Sequence, residues 1–260
     1  MDTSQAFTLA FAGLLLFTIY KNTFLPRESL RSNRRISLVI LLAYCGALLA
    51  LYLVLTRWSA DDVRGDSETV LFYFAAMGIG LVMMQQVFRW CGVSVRDDAI
   101  ERRNPAAACV GVAQIGATTL CFAGSNIGNG PGPEAVAFCI VLSNGALILL
   151  WLLLDRIAGV CDTLTIERDL QAGVRIAVWI AATGAVIGAS VAGDWISYSA
   201  TLRDFVKYAW PTAILLITAA LTEKYFMRDS KQKVNWKASG ALAAGELLAS
   251  VLYAAWVLRA

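Results

Sequence analysis

The chain contains no histidine. The commonest metal ligand and the only side chain that ordinarily titrates near neutrality are therefore missing, so histidine-held zinc, di-iron or haem sites and histidine acid–base chemistry have no basis here. Phosphate-loop and dinucleotide fingerprints are absent too: no Gly-Lys-Ser/Thr occurs, and the glycine-rich stretch follows an apolar run, not a strand. No nucleophile–base pair is evident, so the expectation is a protein that is not an enzyme, with no cofactor, no metal and no nucleic-acid partner. Six cysteines are present without any C-x-x-C spacing and read as apolar fillers, although Cys121 and Cys139 flank one loop and leave a disulfide open. Charge is scarce as well. Only 16% of the 260 residues are charged, against about a quarter in soluble domains.

What fills the chain is apolar: 58% hydrophobic residues and a mean hydropathy of +0.62. Runs long enough to cross about 30 Å of hydrocarbon can be read at 6–20, 36–56, 70–91, 104–124, 135–157, 170–192, 205–222 and 238–258. Eight spans in a single transmembrane domain, 1–260, are expected, an all-α bundle. The first run has no preceding Lys or Arg and no clear cleavage site, so it is read as a retained helix. Pro211, early in the seventh run, predicts a kink there. Trp58, Trp90, Trp151, Trp195, Trp210 and Trp236 stand near span ends, as an interfacial aromatic belt requires.

The few charges are unevenly placed. Lys21, Arg27, Arg31, Arg34 and Arg35 follow the first run, and Arg89, Arg96, Arg102 and Arg103 the third. Arg156 and Arg168 follow the fifth, and Lys224, Arg228, Lys231, Lys233 and Lys237 the seventh, so 16 of the 22 bases lie on one side. Asp61, Asp62, Asp66, Glu68, Glu134, Asp194 and Asp204 lie on the other. The positive-inside rule then puts the odd connections in the cytoplasm and both termini outside, in the periplasm of a bacterial inner membrane.

Ile100-Glu101-Arg102 recurs 66 positions later as Ile166-Glu167-Arg168, each time before a helix rich in Ala and Gly. Four helical hairpins of one sense follow, near 1–60, 61–127, 128–195 and 196–260: parallel repeats, not inverted ones. Small residues on the even spans, among them Ala107, Gly111, Gly116, Ala172, Gly173, Gly184, Gly188, Gly240 and Gly245, predict that these spans form the inner layer.

The blocks Ile100-Glu101-Arg102-Arg103-Asn104-Pro105-Ala106-Ala107 and Ile166-Glu167-Arg168-Asp169-Leu170-Gln171-Ala172-Gly173, each with its Gly-rich helix, resemble the bacterial membrane family catalogued as domain of unknown function 350. The likeness covers roughly residues 70–195, and the second block carries Leu170 where the first has Asn104. It implies a membrane location and a doubled version of a two-hairpin unit, with a link to envelope stress but no assigned reaction.

Three groups of residues are candidates for function. The outer loop Ser125, Asn126, Gly128, Asn129, Gly130, Gly132 and Glu134 is either a compact turn that starts the fifth span or a re-entrant loop whose amides and carbonyls hold an ion or small solute. Glu246, Arg175, Gln114 and Asn144 lie at membrane depth and require partners or water; Arg175 and Glu246 are read either as a structural ion pair or as part of a polar pathway. The connector residues Glu101, Arg102, Asn104, Glu167, Arg168 and Asp169 start helices at the interface and also suit a cytoplasmic docking surface. Two functions stay open: a channel or transporter for an ion or small solute, and a membrane scaffold or envelope-stress component that recruits cytoplasmic partners. Contact with the lipid bilayer and self-association into a homo-oligomer are expected in either case.

Overall fold

A computed structural model describes residues 34–226 and 236–259. The first apolar run and the basic connector at 227–235 lie outside these residues, as does the side chain of Trp236. The described chain is all-α, without strands: α1 (Arg34–Arg57), α2 (Ser67–Trp90), α3 (Pro105–Gly124), α4 (Pro133–Ala158), α5 (Leu170–Ser190), α6 (Tyr198–Ala209), α7 (Pro211–Leu221) and α8 (Trp236–Val257). Six helices are long and apolar enough to cross a bilayer, and a bent pair, α6 with α7, supplies a seventh candidate. The protein is a multi-pass membrane protein.

The bend is 43° and falls at Pro211, as proline's missing N–H and ring clash dictate. Thr212 repairs the break. Its hydroxyl donates to the Ala209 carbonyl at 2.7 Å, as hydroxyls at kinked membrane helices commonly do.

Four helices stand in a row, α1 against α3, α3 against α5, and α5 against α8. The outer helices cover it: α2 lies on α1 and α3, α4 on α3 and α5, and α6 and α7 on α5. The expectation of an inner layer thus holds for α3 and α5, each 72% buried over its span, and not for α1 and α8, which are 33% and 11% buried among the described residues. Small residues explain the difference. A Cβ built at Gly173 would lie 2.7 Å from the Ala106 Cα, and one at Gly184 2.6 Å from the Ala117 Cα. Both steps are eleven residues, three helical turns, so α3 and α5 run parallel with backbones in contact. Gly116, Gly240 and Gly245 meet nothing within 4 Å. Their smallness serves no packing among the described residues.

The connectors before α3 and α5 share a geometry. Each is a π-helical turn, Val95–Glu101 and Thr163–Glu167, and each ends in a left-handed arginine, Arg103 at φ 54° and Arg168 at φ 57°. The reversed chain then delivers a capping side chain. Asn104 Oδ1 accepts from the Ala106 and Ala107 amides, and Asp169 Oδ1 from those of Gln171 and Ala172. The residue equivalent to Asn104 is therefore Asp169, not Leu170, because one residue fewer separates the second Ile-Glu-Arg from its helix. At the opposite ends, Ser59, Ser125 and Ser190 each donate a hydroxyl to the carbonyl four residues back.

Asn104 does more than cap. Its Nδ2 donates to the Leu164 carbonyl at 2.6 Å, joining the two connectors across 60 residues. Replacing Asn104 by Ala is expected to cost about 2 kcal/mol, a cap plus an orphaned buried carbonyl, against about 1 kcal/mol for Asp169→Ala. Unfolding of the two variants in mixed micelles measures the difference; equal losses would mean that the Leu164 bond contributes nothing.

Trp151 departs from the aromatic belt. It is fully buried, stacks edge-on against Phe88 and donates its indole N–H to the Cys91 carbonyl at 3.1 Å. Trp58, Trp90 and Trp210 are exposed, as a belt would have them. All six cysteines are unpaired, so Cys121 and Cys139 form no disulfide.

Candidate functional site

The centre of the bundle is polar. Gln114 and Thr118 on α3 and Thr183 on α5 are fully buried, and Asn144 on α4 nearly so. At 100° per residue, Gln114, Thr118 and Cys121 lie within about 60° on one flank of α3. The Cys121 thiol meets the Ser143 hydroxyl of α4, so α4 covers that flank. With Ala117 against Gly184 in parallel helices, Thr118 and Thr183 project to the same side of the α3–α5 pair. Both amide atoms of Gln114, the hydroxyls of Thr118 and Thr183, Asn144 Oδ1 and the Trp179 indole N–H have no hydrogen-bond partner among the described residues. An unpaired buried polar group costs about 1–3 kcal/mol, so each of these demands water or a polar ligand.

Arg175 departs from its expected partner. It forms a bidentate pair with Glu223 at 2.7 and 2.8 Å, both side chains under a tenth exposed. Glu223 belongs to the π-helical turn Thr222–Phe226 that continues α7. Glu246 is half-buried on α8, and its Oε1 lies 3.2 Å from the Thr218 hydroxyl of α7. The sequence reading missed Glu223 because it fell at the edge of an apolar run beside Lys224 and was absorbed into a basic connector.

Between α3 and α4 the glycine-rich loop is a compact turn laced to its neighbours. The Gly128 amide donates to the Trp58 carbonyl, the Gly193 amide to Ile127 and the Trp195 amide to Asn129, while the Asn129 amide donates to Asp194 Oδ1. Positive φ occurs at Gly128 and Gly132; Gly130 has an ordinary backbone. The loop opens on a small cleft of about 50 Å³ lined in part by Ser59, Asp62, Tyr73, Asn126, Cys139 and Trp195. Ser125 and Asn126 are buried, whereas Asn129, Gly130 and Glu134 are exposed. Glu134 stands in the first turn of α4, where a carboxylate suits the positive helix end.

Compared with protein-family models, curated proteins and solved structures, the chain matches none.

The connector charges are largely self-satisfied. Arg89 pairs with Asp97 at 2.9 Å, Arg96 with Glu101 at 3.2 Å and Arg102 with Asp98 at 3.0 Å, and Asp98 also accepts from the Ser94 amide. Glu167 and Arg168 are exposed. Burial raises the Cys91 and Cys161 thiols above their usual range, with Asp155 adding to the effect at Cys161; both therefore stay protonated and unreactive. Before α2, the Asp66 carboxyl is held below the usual range by the Thr69 hydroxyl and the Glu68 amide that it caps. No group of three or more acidic, Cys or His side chains able to hold a metal occurs among the described residues.

Proposed function

We propose that this chain is a channel or transporter bundle, not an enzyme, that passes an ion or small polar solute through the polar layer between α3, α4 and α5. The observation that carries the reading is the set of buried groups at Gln114, Thr118, Asn144 and Thr183 that have no partner among the described residues. A layer kept only for packing would be apolar or fully hydrogen-bonded, because lipid offers no water to compensate. The recurrent π-helical connectors, caps and end hydroxyls support descent from a duplicated hairpin, and with it the likeness to the family of domain of unknown function 350. Self-association, an inner-membrane location and periplasmic termini belong to the same proposal. The scaffold reading receives less support, since the connector charges that would recruit a partner are mostly spent on one another.

Reconstitution tests the proposal. Purified protein in proteoliposomes is expected to carry at least one of proton, sodium or potassium, followed with ion-sensitive dyes. Gln114→Leu combined with Thr118→Val should abolish that flux at least tenfold while leaving unfolding in micelles unchanged or stabilised, because apolar replacement of unpaired polar groups costs little. Wild-type protein inert to all three ions, or flux undiminished in the double variant, would refute it.

A further inference from the structure

Glu246 stands apart from every other buried charge. Its carboxylate is half-buried about six residues inside the apolar stretch Gly240–Val257 of α8, some 9 Å from the start of that stretch at 1.5 Å per residue. It has no cation among the described residues. Arg175 on α5, the base the sequence offered, is committed in bidentate fashion to Glu223, and Lys224 takes part in other interactions. Among the described titratable groups, it is the Glu223 carboxylate that lies close enough to Glu246 to repel a second negative charge.

Thr218 can serve both forms of the carboxyl. Its Oγ1 lies 3.0 Å from the Leu215 carbonyl and 3.2 Å from Glu246 Oε1. A hydroxyl has one proton and two lone pairs. Turned toward Glu246 it donates to the carboxylate; turned back to the Leu215 carbonyl it leaves a lone pair that accepts the proton of the neutral acid. The apolar surroundings and the want of a cation among the described residues, not Thr218, favour the neutral form.

We propose that Glu246 is a proton-binding site of the bundle, neutral when seated on Thr218, and that it releases its proton when it leaves that seat for water. The step is a simple acid dissociation, carboxyl to carboxylate plus a proton passed to water, and needs no co-reactant. The proposal rests on the transport reading only in making the proton the coupled or conducted ion; occupancy of the site can be measured without transport.

Dicyclohexylcarbodiimide provides that measurement. This apolar reagent adds to protonated carboxyls in membranes: the acid proton goes to a carbodiimide nitrogen, and the carboxyl oxygen bonds its central carbon. Purified full-length protein in liposomes should be labelled at Glu246 by peptide mass spectrometry, at least tenfold more than at Glu223, with labelling falling as the pH is raised. Glu246→Gln should remove the label and Glu246→Asp retain it. Thr218→Val should move the pH at which labelling declines, which a merely structural contact would not do. No label at Glu246 at acidic pH, or equal labelling of Glu223, overturns the proposal. A labelled Glu246 in a protein that carries no ion leaves the proton site standing and removes the transport reading; ion flux with Glu246 unlabelled does the reverse.

Discussion

Replacing Arg175 by Gln is expected to destabilise the protein by about 3–5 kcal/mol, the usual cost of removing one member of a buried ion pair. The magnitude comes from what is left behind. Glu223 would keep its charge in a site where its side chain is 7% exposed, having lost both bonds to the guanidinium. Glu223→Gln should also destabilise the protein, by removing the carboxylate that holds Arg175 through two bonds. The double variant Arg175→Gln with Glu223→Gln should recover much of either loss, since two amides of nearly the same shape remove both charges together. A double-mutant cycle in mixed micelles isolates this coupling. The same cycle on Arg175 and Glu246 should show far less, because these two side chains make no bond to each other. Strong coupling of Arg175 to Glu246 and weak coupling to Glu223 would reverse the assignment.

That assignment shows where sequence reasoning stopped. The helices were legible, because twenty apolar residues in lipid have no alternative to an internally hydrogen-bonded helix. So was the break at Pro211. The inner position of α3 and α5 could be read from Gly173, Gly184 and Gly188, yet the same residue type at Gly240 and Gly245 misled, since composition does not say which face of a helix has a neighbour. Arg175 and Glu246 were paired from depth along their helices alone; Glu223 sits at the same level on a third element, and only the packing of α7 on α5 brings it to the arginine. Asp169 is legible as a helix start but not as the counterpart of Asn104, because the two Ile-Glu-Arg blocks align without gaps while the structure omits one residue between the second block and its helix. The polar layer was seen singly, as Gln114 and Asn144. Thr118 and Thr183 escaped notice because a threonine in a membrane helix ordinarily bonds back to its own backbone, as Thr119 does to Ile115 at 2.7 Å. No sequence signal says that these two do not.

The seam between α3 and α5 should be the least tolerant part of the molecule. A Cβ at Gly124 would fall 1.9 Å from the Gly188 carbonyl oxygen, and one at Gly188 2.4 Å from that of Leu120. These obstacles are backbone, so no rotamer change relieves them. The two helices would have to separate, and separation would also open the contacts of Gly184 with Ala117 and of Gly173 with Ala106. Overpacking within a core typically costs about 1–3 kcal/mol; a rigid backbone contact belongs at or above the top of that range. Gly188→Ala and Gly124→Ala are therefore each expected to lose about 3 kcal/mol or more, and the larger change Gly188→Val should prevent recovery of folded protein from detergent extracts. Gly116→Ala on α3 is the internal control. A Cβ there meets nothing within 4 Å, and alanine is the better helix former by about 1 kcal/mol in water, so stability should be unchanged or slightly raised. Unfolding of the alanine series in micelles gives the ranking. Gly124→Ala and Gly188→Ala as stable as Gly116→Ala would mean that the helices are not in backbone contact, and the polar layer that this contact holds on one side of the pair would lose its geometric basis.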